Sequence, residues 1–347
     1  MESIYIDLEL TTDREVLQNA ESFLQGQADK CVIIDEVQQM PVLFSLLRAL
    51  VDKERMPGRF LLLGSASPDL IRQSANSLAG RISYIELTPF SWPEVQSRVS
   101  WQEHWFRGGF PDALFADLPS RTGRWLDNFV ATFVERDLRA LGYQVAAPTL
   151  RRFLQMLLGV HGNLLNMSDL SRSMGISQPT VLAYLDLLEG GFLIRRLQPY
   201  FINIGKRLVK SPKLYLRDSG MLHRLARLHS FNDLQTNLLV GASWEGYVVE
   251  QLIRTASDTE FYFYRTQAGA ECDLFVIRPD GKRACIEIKY ADVPVLTKGF
   301  YASVADLNPD DKVVIVPQGR TFTTKEGVVV VPLSIFLNEI WPQWMTT

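Results

Sequence analysis

Residues 31–36 read Cys-Val-Ile-Ile-Asp-Glu, four apolar side chains followed by two carboxylates. A buried parallel strand is apolar along its length and delivers its polar residues at the C-terminal tip. At such a tip Asp35 can hold Mg²⁺, and Glu36 can orient a water for attack on the γ-phosphate of ATP. The same chemistry needs a Gly-x-x-x-x-Gly-Lys-Ser/Thr loop, whose backbone N–H groups cradle the phosphates. Here Gly-Lys occurs only at Gly205-Lys206 and Gly281-Lys282, each followed by arginine and without the upstream glycine. Ser65, closing the run Leu61-Leu62-Leu63-Gly64-Ser65, stands where a side chain could touch the γ-phosphate or the attacking water. Arg81, in Ser77-Leu78-Ala79-Gly80-Arg81, could reach a phosphate from a loop. Taken alone, Asp-Glu after an apolar strand is more often the strand's solvated end. Its spacing to the Leu61–Ser65 run favours ATPase ancestry.

A second group of residues is Glu245, Asp273, Glu287 and Lys289. Pro279-Asp280-Gly281 is a turn signal between two apolar runs, so residues 272–277 and 284–290 are expected to form a hairpin. Period-two alternation puts Glu287 and Lys289 on one face, and the hairpin register brings Asp273 near them. Asp273 and Glu287 could hold a hard divalent cation through oxygen, with Glu245 as a further ligand from the preceding helix. Lys289 could stabilise charge on a phosphate or position a water. This is the pattern of the PD-(D/E)-x-K nuclease fold. The motif is short, and most Glu-x-Lys strands are simply solvated faces.

At 347 residues, with 47% hydrophobic and 22% charged side chains, the chain has the size and composition of a soluble protein of two or three domains. Cys31, Cys272 and Cys285 lie in apolar runs without metal-type spacing and read as buried thiols of a reducing compartment. No signal peptide and no run of membrane-spanning length is present, so a cytoplasmic location without membrane contact is expected. The net charge is −3, unevenly spread. Residues 1–60 carry 11 acids and 6 bases, whereas residues 195–227 carry nine bases and one acid, Asp218. Such a basic segment suits duplex DNA, a solvated face, or pairing with the acidic N-terminal domain. His104, His161, His223 and His229 show no ligand spacing and read as surface or structural, and Trp92, Trp101 and Trp105 read as packing.

Residues 1–90 alternate short apolar runs with helical patterns, the rhythm of a parallel α/β sheet. Strands are expected at Ile4–Ile6, Cys31–Ile34, Phe60–Ser65 and Ile82–Leu87. Residues 91–145 read as helical, broken at Gly108-Gly109-Phe110-Pro111. Residues 146–200 carry a winged helix-turn-helix pattern: a short helix near Ser168, a turn at Gly175, a helix capped by Ser177 with Pro179 in its first turn, and a strand after Gly191.

Together these segments resemble a family. Ile33-Ile34-Asp35-Glu36-Val37-Gln38, the Gly58–Ser65 and Ser77–Arg81 runs, Arg107-Gly108-Gly109-Phe110-Pro111, Phe133-Val134-Glu135-Arg136-Asp137, Trp244-Glu245, Gly269–Asp273 and Ile286–Lys289 follow one another as in prokaryotic AAA-like ATPases. Those proteins end in a domain of unknown function with a winged helix and a restriction-endonuclease-like fold. The resemblance covers essentially the whole chain. It implies an α/β, multi-domain protein: a P-loop, AAA-like parallel sheet over 1–90, a helical lid over 91–145, a winged helix over 146–200, and a basic linker with a nuclease-like domain over 201–347. It implies ATP and Mg²⁺ as cofactors. Asp35 would bind the metal, Glu36 would activate water, Ser65 would sense the γ-phosphate, and Arg81 would act as an arginine finger if subunits form a homo-oligomer. Members begin with a strand and a Gly-x-x-x-x-Gly-Lys-Thr loop, and this sequence starts where that loop would have ended, so it reads as N-terminally truncated. Two other functions fit the same residues. One is a winged-helix DNA-binding module between silent α/β domains. The other is a Mg²⁺-dependent nuclease using Asp273, Glu287 and Lys289.

Overall fold

The computed structural model describes residues 2–64, 77–134, 146–202, 205–256 and 258–346. Two compact units divide the chain, Met1–Leu87 and Thr88–Thr347.

The N-terminal unit is built on a parallel three-stranded sheet of β1 (Ser3–Asp7), β2 (Cys31–Asp35) and β3 (Phe60–Leu62), in that order. Helices α1 (Thr11–Val16) and α2 (Ala20–Gly26) connect the first two strands, and α3 (Leu43–Lys53) connects the second and third. Val32 and Ile34 alternate onto one face of β2 and are fully buried there. Leu43, Phe44, Leu47 and Leu50 recur at helical spacing and bury one stripe of α3 in the same core.

The expected fourth strand at Ile82–Leu87 does not form. Its alternation is strand-like, but Ile85 is 85% and Leu87 96% exposed, and among the described residues the segment pairs with no strand. Burying such a side chain is worth roughly 1.5–3 kcal/mol. Without a ladder and without that burial, β propensity alone does not hold an extended segment in a sheet. Ser65, closing the expected third strand, lies outside the described residues, as do Glu135, Arg136 and Asp137.

The second unit opens with helices α4 (Trp92–Val95), α5 (Trp101–Arg107), α6 (Pro111–Leu114) and α7 (Pro119–Thr132). Then come α8 (Ala147–Leu158), β4 (Asn163–Leu164), α9 (Met167–Met174), α10 (Gln178–Gly190), β5 (Ile194–Leu197) and β6 (Lys213–Leu216). Gly175 takes the left-handed conformation that turns α9 into α10, and Ser177 accepts the Thr180 N–H as N-cap. The three strands form an antiparallel sheet in the order β4-β6-β5.

Helices α11 (Ser219–Leu225), α12 (Phe231–Gln235) and α13 (Val240–Arg254) lead into a six-stranded sheet. Its strands are β7 (Glu260–Arg265), β8 (Glu271–Ile277), β9 (Arg283–Ile288), β10 (Asp311–Val316), β11 (Phe322–Thr323) and β12 (Val329–Pro332), with α14 (Lys298–Leu307) between β9 and β10. The spatial order is β11-β12-β10-β9-β8-β7. β8 and β9 form the hairpin announced by Pro279-Asp280-Gly281, with Gly281 at φ 87°. Both strands are buried on both faces. Leu274, Val276, Ile286 and Ile288 join Trp244 and Val248 of α13 in one core, and Phe275 and Cys285 join Phe300 and Leu307 of α14 in another.

The Arg107–Pro111 motif is a close-packing device. Gly108 sits at φ 80°, where a Cβ would overlap the Asp218 carboxylate, and the Gly109 N–H donates to Asp218 Oδ2 at 2.9 Å. Asp218 also caps α11 by accepting from the Met221 N–H at 2.8 Å.

Three of the four histidines are buried in this unit. His161 accepts the Leu216 N–H at Nδ1 and therefore donates from Nε2 to the Ala242 carbonyl. His104 bridges the Phe90 carbonyl and the Tyr247 hydroxyl, while His223 bridges the Phe106 carbonyl and Ser243. Burial drives their pKa values down, to about 4 for His104 and His223 and about 3 for His161. A base whose folded value is depressed contributes stability above its unfolded value, about 6.5. That contribution is lost as pH falls toward about 4. Carboxyls shifted upward act with the opposite sign, so ring titration is the cleaner readout than a melting curve. NMR of the histidine side chains should show three imidazoles still neutral at pH 5. Three rings titrating together near 6.5 would refute their burial.

Candidate functional site

At the tip of the N-terminal sheet, the parallel register sets Asp7 opposite Asp35. The Oδ1 of Asp35 accepts the Glu36 backbone N–H at 2.9 Å, and its Oδ2 accepts the Tyr5 hydroxyl. The hydrogen bond to Asp35, followed by burial, pushes the Tyr5 hydroxyl up to about 12. Glu36 lies in the left-handed region at φ 55°, unusual for a non-glycine residue, and accepts from the Gln38 amide. Burial raises the Glu36 carboxyl above its ordinary value, and the charges of Asp35, Glu9 and Asp7 add to that. Among the described residues no Lys or Arg forms an ion pair with Asp7, Glu9, Asp35 or Glu36, and no set of three or more His, Cys, Asp or Glu could hold a metal by itself. Mg²⁺ commonly takes one or two protein carboxylates and completes its shell with water and substrate phosphates, which this tip suits.

Arg81 points elsewhere. Its Nε and Nη2 bond Asp52 of α3 at 2.5 and 3.0 Å, and its Nη1 bonds the Ala79 carbonyl. Asp7 and Tyr5 were not singled out by sequence reasoning. The signal was the parallel pairing itself, which aligns the ends of β1 and β2.

In the second unit the structure does gather Glu245, Asp273, Glu287 and Lys289. The β8–β9 register, Leu274 opposite Ile286, continues to Asp273 opposite Glu287. The Ile288 N–H donates to Asp273 Oδ2 at 3.0 Å. Lys289 Nζ lies 2.7 Å from Glu287 Oε1 and 3.9 Å from Asp273 Oδ2. Burial, and then the Asp273 charge, push the Glu287 carboxyl up to about 8, and its Oε2 has no hydrogen-bond partner among the described residues.

At the centre stands a residue the sequence reading had counted in the basic surface. Lys213, the first residue of β6, is only 2% exposed. Its Nζ lies 3.0 Å from Glu245 Oε1, 3.3 Å from Asp273 Oδ1 and 3.3 Å from Glu271 Oε1. Tyr215, two residues along, donates its hydroxyl to the same Glu245 oxygen at 2.5 Å. Burial opposes the Lys213 charge, but Glu245, Tyr215, Asp273 and Glu271 outweigh it and hold the ammonium well above its ordinary pKa. A divalent ion shared by Glu245 and Asp273 would need the position this ammonium fills. The carboxylates are therefore present, but their arrangement does not fit a metal. The only sequence signal for Lys213 was a charged residue opening an otherwise apolar strand, Lys-Leu-Tyr-Leu.

The rest of the basic segment behaves alike. Arg195 and Arg217 pair with Glu250, Arg196 with Asp186 and Glu189, Lys206 with Asp306, and Arg224 with Asp127. Burial alone would raise Glu250, which is 2% exposed, but Arg195, Arg217 and Arg254 hold it at about 2. Arg207, Lys210 and Arg227 have no acidic partner among the described residues.

An AAA domain matches residues 1–96, a domain of unknown function (DUF8612) matches 98–232, and a second (DUF4143) matches 240–336. Uncharacterised proteins of Mycobacterium tuberculosis and Mycobacterium bovis are each 40% identical over 307 residues, covering 88% of this chain and 69% of theirs. The chain belongs to their family. It is an AAA-like ATPase family with a C-terminal domain of unknown function. An uncharacterised protein of Haemophilus influenzae is 26% identical over 205 residues, 54% of this chain and 50% of that protein. No solved structure matches. Among the described residues no helix is long and apolar enough to cross a membrane.

The internal ion pairs set a limit on polyanion binding. Three unpaired bases in residues 195–227 allow about three phosphate contacts, so the logarithm of duplex affinity should fall with the logarithm of salt at a slope of about −3 or shallower. Titration of labelled duplex DNA with the full chain at several salt concentrations measures it. A slope near −8, as expected for about nine contacts, would mean that these ion pairs open on DNA.

Proposed function

We propose that this chain carries the Mg²⁺- and water-facing half of an AAA-like ATP site. Asp35 holds the ion, directly or through water, and Glu36 orients the attacking water. Ser65 senses the γ-phosphate, and Arg81 leaves Asp52 to act as an arginine finger when copies of the chain assemble. The observation that carries this assignment is the pairing of Asp7 with Asp35 at the tip of the parallel sheet, with Glu36 turned out in the left-handed conformation beside them. The AAA-domain match over the same residues supports it.

The 347 residues contain no Gly-x-x-x-x-Gly-Lys-Ser/Thr loop. The β/γ-phosphates therefore lack their main donors and the lysine that neutralises them. The purified chain with Mg²⁺-ATP should show only background turnover, unchanged by Glu36→Gln. Turnover that Glu36→Gln abolishes would overturn the expectation. Fusing a strand and a Gly-x-x-x-x-Gly-Lys-Thr loop ahead of residue 1 should confer hydrolysis, and Asp35→Asn should then abolish it. Full turnover by Asp35→Asn in that fusion would reject Asp35 as the metal-binding residue.

A second function, weak association with duplex DNA, has its own support. Residues 147–216 follow the order helix, strand, helix, turn, helix and two strands of a winged helix-turn-helix, and the β5–β6 connection exposes Arg207 and Lys210. The solvent face of α10 offers Gln178, Leu182, Ala183 and Asp186 and no base, so phosphate contact would fall mainly to that connection.

A further inference from the structure

Glu245 on α13, Glu271 and Asp273 on β8, and Glu287 on β9 bring four carboxyl groups from three elements together. Such a set ordinarily draws a divalent cation. Here the centre is taken by the Lys213 ammonium, within 3.0–3.3 Å of oxygens from three of the four. The fourth, Glu287, is 4% exposed and leaves Oε2 without a partner among the described residues. Carboxylate oxygens accept hydrogen bonds from an ammonium at nearly 3 Å but bind Mg²⁺ at about 2.0–2.1 Å, so the two cations cannot share this space.

We propose that Lys213 is the resident cation of this cluster, that it keeps divalent metal out of the native chain, and that removing its ammonium opens a one-ion site formed by Glu245, Asp273 and Glu287. Lys213 enters from β6, a strand of the three-stranded sheet, whereas the carboxylates belong to α13 and the six-stranded sheet. The cation and the β8 carboxylates it meets thus come from different sheets of the unit. Lys289 is bonded to Glu287 Oε1 and leaves Oε2 without a partner among the described residues.

The test uses the full chain with Asp35→Asn throughout, which removes the carboxylate assigned to Mg²⁺ in the N-terminal unit, and Asp273→Asn then tells any remaining N-terminal binding from binding at the cluster. Mn²⁺ binding is followed by electron paramagnetic resonance and calorimetry, and folding by circular dichroism. With Lys213 in place no stoichiometric Mn²⁺ should bind. Lys213→Ala should bind about one Mn²⁺ per chain, and Mn²⁺ should raise its thermal midpoint by several degrees. Lys213→Arg, which keeps the positive charge, should bind none. Adding Asp273→Asn to Lys213→Ala should remove the gained site.

Two outcomes overturn the proposal through the parent chain and the folded variant. The parent already binding one Mn²⁺ that Asp273→Asn removes would mean that Lys213 does not exclude metal. A folded Lys213→Ala that binds none would mean that the carboxylates cannot converge on an ion. Should Lys213→Ala be unfolded without metal, refolding in Mn²⁺ decides. Recovery of structure supports the site, and failure to recover shows that a divalent ion does not substitute for the ammonium.

Discussion

A charge taken out of water must be neutralised where it ends up, and the second unit depends on that constraint at Lys213. An unpaired buried ion costs several kcal/mol even after relaxation, and breaking a buried pair typically costs about 3–5 kcal/mol. The Lys213 ammonium has acidic partners on α13 and β8, so β6 cannot shift by a residue without stranding it. A one-residue slip would also turn Leu214 and Leu216 out of the core they fill. Register, charge and burial therefore fix the same strand in the same place.

Helix α13 extends the constraint through the unit. Glu250 on it gathers Arg195 from β5, Arg217 from the turn after β6, and Arg254 one turn further along the helix. Ser243 accepts from the Trp105 indole and donates to His223, and Gln251 accepts the Trp92 N–H. Trp244 fills the aromatic centre beside Trp105, Tyr247 and Tyr290. One helix thus carries an apolar stripe for the six-stranded sheet and polar groups for the segments before it. This is why residues 88–347 form one compact unit although their pieces read as separate in the sequence.

What the sequence made legible was local. The hairpin of β8 and β9 follows from a turn tripeptide between apolar runs, and the α9–α10 turn from Gly175, Ser177 and Pro179. Asp273 and Glu287 came together because hairpin register is determined over a few residues. What stayed hidden was decided at long range. Ile82–Leu87 has a strand's alternation, but pairing and burial, which make a strand, depend on a neighbour. Lys213 and Arg217 count as surface charge in any window of sequence, because their partners lie about 30 or more residues away. The same distance concealed the buried histidines, whose acceptors and donors are mostly backbone groups of other segments.

The two units treat carboxylates in opposite ways. In the second unit the buried carboxylates at both centres meet side-chain cations, Lys213, Lys289 or the arginines around Glu250. At the N-terminal tip, Asp7, Glu9, Asp35 and Glu36 have no basic ion-pair partner among the described residues, and burial, with the charges of Asp35, Glu9 and Asp7 adding to it, raises Glu36. Like charges held together by a sheet register cost free energy, and a bound cation relieves it. In the ATP site proposed above, a nucleotide's phosphates would supply the further oxygen ligands such a cation needs. The tip thus keeps its carboxylates without a basic ion-pair partner among the described residues, whereas those of the Lys213 cluster face side-chain ammonium groups.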